Sequence, residues 1–544
     1  MKHPRLVFGV CILAVAIGAL ALRLPRLGLR PMHGDEGNQA VKATTLLESG
    51  VYRYNPRDHH GPTLYYLSLP TLWAAGAEGP RDVTDAMLRL TPALFGAGVV
   101  LLLLLVGDGL GRPAAVCAAV LTAISPGMVF YSRYYIQEML LVFFTLAFLA
   151  SAWRYTRGRR SARAALAGRW PWAVAAGAFL GLMHATKETW VLAAAAAVAG
   201  LAGMVLWSWL VDGERLAIRP HVTWKHLAAA AAAAVVVSIV FFSSFFTHAR
   251  GPLDSVLAYV YYFTRAGGVG LHDNPWYFYL GMFIHSRIIT EATSGPWWSE
   301  GLILGLAAVG MIAALAKKGI GRASAPLLRL LTVYTLVLTV AYAVIPYKTP
   351  WCAMGFLHAC ILMAGVGAAA LVRWVPKWPL KAAVCVVLAA LAAHLGWQAH
   401  RASFRFCADQ RNPYVYAHTS RDALNIVKRV EEVASVSPHG HDMIIKVITP
   451  ENYWPLPWCL RQFNKDHIGY YHEVPADCDA SVILTTPDVQ ETLEKRLQGS
   501  YNKQSIHGLR PGVFMPIYVE QSLWDALVEK WSARNAEVPK GAAP

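Results

Sequence analysis

About eleven apolar runs, each near the length that crosses a bilayer, leave this chain one broad choice of architecture. They cover residues 6–22, 88–106, 114–131, 137–153, 172–186, 190–211, 227–246, 301–316, 326–345, 351–372 and 381–398. A bilayer core offers no water to the backbone, so each run must satisfy its own hydrogen bonds as a helix. The expectation is a polytopic α-helical membrane protein with about 11 transmembrane helices. Hydrophobic residues make up 56% of the chain and charged residues 15%, which excludes an ordinary soluble globular protein. The net charge of +16 would suggest nucleic acid in a soluble chain. Here the cations sit mostly in short loops between apolar runs, where positive-inside topology and anionic headgroups explain them, so no nucleic acid is expected. No stretch matches G-x-x-x-x-G-K-[ST], so ATP-driven transport has no support.

The loops set an orientation. One set carries Arg154, Arg157, Arg159, Arg160, Arg163 and Arg169, then Arg215, Arg219 and Lys225, then Lys317, Lys318 and Arg322, then Arg373 and Lys377. The alternate loops are acidic, aromatic or short. This predicts a multi-pass protein of the cytoplasmic (inner) membrane with its N-terminus inside and its C-terminal domain outside. Ala19-Leu20-Ala21 resembles a signal cleavage site. The run before it serves equally well as a first span, and the many later spans favour that reading.

The chain divides at residue 398 into a transmembrane domain, 1–398, and an outer soluble α/β domain, 399–544. The outer loops of the first are 32–87 and 247–300. Tyr65–Ala77 is apolar but short for a span and interrupted by Pro70, so an interfacial or re-entrant helix is expected there. The loop 247–300 is rich in Tyr and Trp, and reads either as an interface belt or as a lid that stacks on a sugar or lipid head. Beyond residue 398, helices are predicted over Arg421–Val436 and Ser522–Ala533, and strands over Met443–Thr449 and Ser481–Thr486. Of the eight cysteines, Cys407, Cys459 and Cys478 lie in this part, where at most one bridge can form, and Cys459–Cys478 is the pairing considered.

The stretch 32–70 organises the rest. It opens on Asp35-Glu36, flanked by His33, Gly34 and Gly37, and closes on His59-His60-Gly61-Pro62. Further charges gather at predicted outer mouths: Arg133 and Glu138 in YSRYYIQEM, Lys187-Glu188 in ATKETW, and Lys348 in PYKTPW. The middles of the runs carry almost no ionisable side chain, which is unlike a proton-coupled transporter. The arrangement points to an outward-facing site acting on a lipid head. Transfer of a sugar from a lipid phosphate needs a carboxylate to take the acceptor proton, cations to stabilise the phosphate, and a groove for the lipid tail. Asp35 fits the first role, Arg133, Lys187 and Lys348 the second, and the span bundle the third.

Each residue has a plainer reading. Asp35 can be a helix cap. Glu36 can support its neighbour. Arg133 and Lys187 can be snorkelling interface cations, and Glu138 can pair with Arg133. Gly61-Pro62 reads more readily as a turn than as a site. A divalent metal ion is the one cofactor class left open, because His33, His59 and His60 lie near Asp35. Their spacing matches no metal signature, so no metal ligand is named.

Taken in order, these motifs resemble the GT-C glycosyltransferases, with the protein O-mannosyltransferases and the lipid A aminoarabinose transferase nearest. HGDE, Y-N-P-R-x-H-H-G-P, A-T-K-E-T, P-Y-K-T-P-W and Y-W-P-L-P-W resemble more narrowly the flippase activity-associated protein group. The resemblance spans nearly the whole chain. It implies a GT-C-like fold, a polyprenyl-phosphate sugar donor, and an acceptor that is a protein, a lipid or a glycan. It makes Asp35 the catalytic base with Glu36 beside it. It gives Glu138 a role in binding acceptor or metal, although many relatives carry Asp there, and it puts Arg133 on the donor phosphate. Lys187, Glu188, Lys348, His59 and His60 complete the expected substrate site. The alternative reading is a lipid-linked sugar flippase, or an accessory scaffold of one, which would need polar residues along a path through the spans.

Overall fold

The structure, a computed structural model, describes residues 4–58, 60–157, 169–213, 223–266, 272–289 and 294–537. His59 and the loop cations Arg159, Arg160, Arg163, Arg215 and Arg219 lie outside the described residues. The chain forms two compact units. One comprises Met1–Leu27, Ser49–Ala75 and Thr84–Tyr416; the other comprises Gly28–Glu48, Gly76–Val83 and Ala417–Pro544. Compactness therefore divides the chain differently from a cut at residue 398. Residues 399–416 belong with the first unit, and two segments from before residue 84 belong with the second.

Every predicted apolar run of the first unit is helical. Among the described residues eight helices are long and apolar enough to cross a membrane, making this a multi-pass membrane protein: Pro4–Arg23, Asp85–Leu110, Glu138–Thr156, Trp190–Leu210, Trp224–Phe242, Ala325–Val344, Pro350–Trp374 and Trp378–Arg405. The run 114–131 is not one straight helix. It is Arg112–Ile124 followed by Pro126–Ser132, bent by 58°. Pro126 lacks the N–H the ladder needs and disfavours helical geometry at Ser125. The Ser125 hydroxyl instead accepts from the Met128 N–H at 3.3 Å and starts the second piece. Two further runs give helices of 15 residues, Trp170–His184 and Gly301–Leu315, each shorter than a full span.

Burial sorts the helices. In the Pro350–Trp374 segment 83% of the most apolar 18-residue stretch is buried, at the centre of the bundle, whereas in Trp378–Arg405 the share is 6% and Val386, Val387 and Leu391 are exposed. An apolar helix so exposed belongs against lipid. Small residues bring backbones together at the centre. A Cβ at Gly367 would lie 1.9 Å from the Leu306 carbonyl oxygen, so the helices Gly301–Leu315 and Met354–Trp374 touch main chain to main chain. The short apolar stretch after the first loop forms the helix Thr63–Ala74, with Pro70 inside it, in agreement with a helix too short to span.

The second unit is α/β. Its sheet runs in the order β2-β1-β3-β7-β4, with β1 (Ile445–Ile448) parallel to β2 (Ile468–Tyr471) and to β3 (Val482–Thr485). The strands β7 (Ile517–Glu520) and β4 (Tyr501–Lys503) continue it antiparallel. β5 (His507–Arg510) and β6 (Val513–Met515) form a separate hairpin. β1 and β3 are buried along their whole length and fall inside the predicted strands. The amphipathic helix Ala423–Ala434 and the closing helix Gln521–Glu537 also stand where predicted. Cys478 is unbridged, so the Cys459–Cys478 pairing is not formed.

Candidate active site

The acidic pair of the second unit splits by burial. Both residues begin the helix Gly34–Ser49, in its first turn. The Asp35 side chain is 54% exposed, while that of Glu36 is fully buried. Glu36 accepts from the Arg30 guanidinium at 3.2 Å and from the His33 N–H at 3.0 Å. The Asp35 N–H donates to His33 Nδ1 at 3.0 Å, and the His33 ring stacks on His418 at 5.7 Å. Glu36 thus pins the turn with charge-assisted bonds, and Asp35 projects from it.

In the first unit the other motifs converge. Glu138 opens the helix Glu138–Thr156, and Lys187 sits in the turn between Trp170–His184 and Trp190–Leu210. Both are buried, and the Lys187 ammonium donates to the Glu138 carboxylate. Glu138 is therefore paired with Lys187 and not with Arg133. Burial works to lower the pKa of Lys187, but the carboxylate against it holds the ammonium well above its ordinary value. The pair faces a small pocket walled by Leu141, Val142 and Leu338 and by the rings of Tyr334, Tyr342 and Trp351. YSRYYIQEM, ATKETW and PYKTPW, far apart in sequence, so meet at one cavity.

Glu188, next to this pair, takes a different partner. His60 Nδ1 lies 2.8 Å from its carboxylate and 2.8 Å from the Tyr262 hydroxyl. Trp190 donates to the Tyr259 hydroxyl at 2.7 Å. Two tyrosines of the aromatic stretch after Phe246 therefore hold this turn. Burial works to raise the Glu188 carboxyl, and the His60 imidazole outweighs it, leaving the group below its usual range. A carboxyl depressed on folding stabilises the protein above its unfolded value, about pH 4.3, and loses that contribution as pH falls through the lower folded value. His60→Ala should cost about 1–3 kcal/mol at neutral pH, because it leaves a buried acceptor without its donor. Melting temperatures of the two proteins across pH 7 to 3 check this: the gap should narrow only below about pH 4.3.

The approach of His60 to Glu188 depends on its neighbours. The Thr63 N–H donates to the Ala185 carbonyl at 3.1 Å, and the Thr63 and Thr186 hydroxyls lie 2.8 Å apart. A Cβ at Gly61 would stand 2.1 Å from the Ala185 oxygen. The glycine is thus a close approach of two backbones, as well as part of a turn. Gly61→Ala should destabilise by about 1–3 kcal/mol in a thermal melt.

Arg133 and Lys348 are placed otherwise. The Arg133 guanidinium donates to the carbonyls of Arg23 at 2.6 Å, Pro25 at 2.8 Å and Arg26 at 3.0 Å, and lies 4.6 Å over the Phe404 ring. It completes the end of the first helix, where a cation is favoured. The Lys348 ammonium donates to the carbonyls of Ile345 at 2.5 Å and Asn274 at 2.9 Å. Glu300 is a buried acid that the sequence reading passed over as the end of a loop. It accepts from the Ser125 hydroxyl at 2.5 Å, the Gly127 N–H at 2.9 Å and the Tyr414 hydroxyl at 2.7 Å, and burial raises its pKa. Its partners are 114 to 175 residues away, and no local pattern announces them. Among the described residues no group of three or more His, Cys, Asp or Glu side chains is arranged to hold a metal ion.

Residues 65–251, less than half of the chain but including Arg133, Glu138, Lys187 and Glu188, match the family model of dolichyl-phosphate-mannose-protein mannosyltransferase. Most of the chain superposes on ArnT from Cupriavidus metallidurans, solved bound to undecaprenyl phosphate. The TM-score is 0.63 at 15% identity, with 93% of this chain and 97% of that one covered. This is the GT-C fold. The archaeal oligosaccharyltransferase AglB from Archaeoglobus fulgidus, in complex with an inhibitory peptide and a dolichol-phosphate, matches at a TM-score of 0.54 and 13% identity, over 96% of this chain and 75% of that one. No curated protein sequence matches the chain. The resemblance to GT-C glycosyltransferases read from the D-E loop and the later motifs is thus borne out by a family model and by the fold. At these identities the structural likeness is one of architecture, and the GT-C fold alone does not choose a sugar or an acceptor.

Proposed function

We propose that this GT-C protein transfers a sugar from a polyprenyl-phosphate donor to an acceptor hydroxyl at the outer face of the cytoplasmic membrane. The observation that carries the reading is the split of the acidic pair: Asp35 is exposed on a turn that buried Glu36 fixes. In the reaction, the acceptor oxygen bonds to the anomeric carbon and the carbon–oxygen bond to phosphate breaks. The polyprenyl phosphate leaves with that electron pair, and Asp35 takes the acceptor proton.

Lys187 supplies positive charge for the phosphate at the small pocket it shares with Glu138. His60 and Glu188 set the turn that carries Lys187. Arg133 and Lys348 act as framework, because their head groups hold backbone carbonyls. The undecaprenyl phosphate and dolichol-phosphate bound to the two structural relatives support a lipid-phosphate donor. The loops rich in Arg and Lys support an inside N-terminus and an outside C-terminal domain.

The test is transfer by the purified protein in lipid, from labelled polyprenyl-phosphate sugars to a membrane extract, with wild type beside Asp35→Asn. Label reaching acceptor with wild type alone supports the reading. Equal transfer by a folded Asp35→Asn protein removes Asp35 as the base, and lipid scrambling without transfer removes the enzyme reading.

A further inference from the structure

The Y-W-P-L-P-W stretch has no part in the reaction as described so far. It occupies residues 453–458, soon after β1, and it packs on the helix that carries Asp35. A Cβ at Gly34 would stand 3.5 Å from the Trp454 Cβ, and one at Gly37 would stand 2.7 Å from the Pro455 Cβ. The glycines on either side of Asp35-Glu36 are what let the helix lie on this segment, and Trp454 is set against the residue that precedes Asp35. The segment is also fixed. The Trp454 N–H donates to Asn452 Oδ1 at 2.9 Å. Arg510 donates to the carbonyls of Asn452 at 2.5 Å and Trp454 at 3.4 Å, and its guanidinium lies 3.5 Å from the Glu451 carboxylate.

Aromatic rings line up beside it. The Tyr453 ring is 4.8 Å from Tyr470, 5.8 Å from His472 and 6.5 Å from Trp454, at interplanar angles of 32°, 32° and 33°. Tyr470 belongs to β2 and His472 follows it. β1 and β2 are parallel, so both groups leave from the carboxyl ends of their strands, the place where open α/β sheets bind ligands. Tyr453, Trp454 and Tyr470 are partly exposed, and Glu451, Asn452 and His472 are exposed around them. Tilted rings rimmed by a carboxylate, an amide and an imidazole suit a ligand with an apolar C–H face and hydroxyls at its edge. A pyranose is a ligand of that kind.

We infer that this row of rings is the acceptor subsite, and that the acceptor is a glycan whose terminal pyranose stacks on Tyr453 and Trp454 and offers a hydroxyl to Asp35. The inference rests on the transferase reading and deepens it by naming the acceptor class. A rigid ring platform costs little ordering entropy on binding, and the contact of Trp454 with Gly34 ties acceptor position to base position.

Saturation-transfer NMR on the full chain in lipid nanodiscs tests this without turnover, with methyl α-mannopyranoside, methyl α-glucopyranoside and methyl β-galactopyranoside as probes. At least one probe should bind wild type. Tyr453→Leu should weaken that binding about tenfold, equal to about 1.4 kcal/mol, and Tyr453→Phe should retain it. If Tyr453→Leu lowers the melting temperature, His472→Ala, on an exposed side chain, decides in its place with an expected weakening of about threefold. The inference is overturned if no probe binds wild type, if the leucine and alanine variants bind as wild type does, or if a serine-bearing peptide accepts label while the sugars neither bind nor compete. Transfer without sugar binding sinks the subsite alone. Sugar binding without transfer from any donor sinks the transferase reading and leaves the subsite standing.

Discussion

Asp35→Asn is expected to lower sugar transfer by about 10²–10⁴-fold while leaving the protein folded. The amide keeps the shape of the side chain and removes its capacity to accept a proton. The stability cost should be small, because the side chain is 54% exposed and its charge contributes mainly through the helix N-terminus, about 0.3–1 kcal/mol. Glu36→Gln should cost stability as well. That carboxylate is fully buried and receives Arg30 and the His33 N–H, so the amide weakens two charge-assisted bonds, about 1.5–3 kcal/mol each. Single-turnover transfer measured beside a thermal melt separates the two. Asp35→Asn should lose rate at an unchanged melting temperature, and Glu36→Gln should lose both. Full transfer by Asp35→Asn would end its assignment as base, and an unchanged melt in Glu36→Gln would end the account of that residue as the support of the turn.

The spans were legible because a bilayer imposes length and apolarity on each segment independently, and residues 6–22 or 351–372 carry that message without help from the rest. What depends on a partner was not legible. Ser125-Pro126 looked like the interior of one span; the bend becomes evident only from the helix axes. Arg133 in a predicted mouth reads equally as a phosphate ligand or a snorkelling cation, and the three carbonyls at the end of the first helix that it meets are not visible in its local sequence. Lys187 and Glu138 were both named from sequence, but their pairing needed the fold. In the second unit, β1 and β3 announced themselves by β-branched runs buried on both faces, as parallel strands do. β2 and β4 are three to four residues long and only partly buried, so they carry no such pattern. Nothing in residues 28–48 indicates that they fold with residues 417–544. The two glycines of H-G-D-E-G hint at a close approach, yet the surface approached, Trp454 and Pro455, lies some four hundred residues on.

Glu138→Ala should destabilise the protein by about 3–5 kcal/mol, because it leaves the Lys187 ammonium buried and uncompensated. Between pH 6 and 9 the loss should be greatest at the low end and shrink as pH rises, because without Glu138 burial lowers the pKa of the Lys187 ammonium and its neutral form relieves the uncompensated charge. The wild-type pair stays intact over that range, since a cation whose folded pKa lies above its unfolded value contributes stability that is fully present below the unfolded value, about 10.4, and that fades only as pH rises through the folded one. The double variant Glu138→Leu with Lys187→Met removes both charges and keeps most of the side-chain volume. It should recover most of the melting temperature, since well-packed apolar replacements of a buried ion pair are often neutral or stabilising. Transfer should not recover with it, because the cavity then holds no cation to meet the phosphate. Thermal melts and transfer rates on the three proteins therefore separate the two duties of the pair. Recovery of both in the double variant would make the pair structural only and would remove Lys187 from the donor site. Failure of the double variant to fold would show that the pair contributes more than the mutual cancellation of two buried charges.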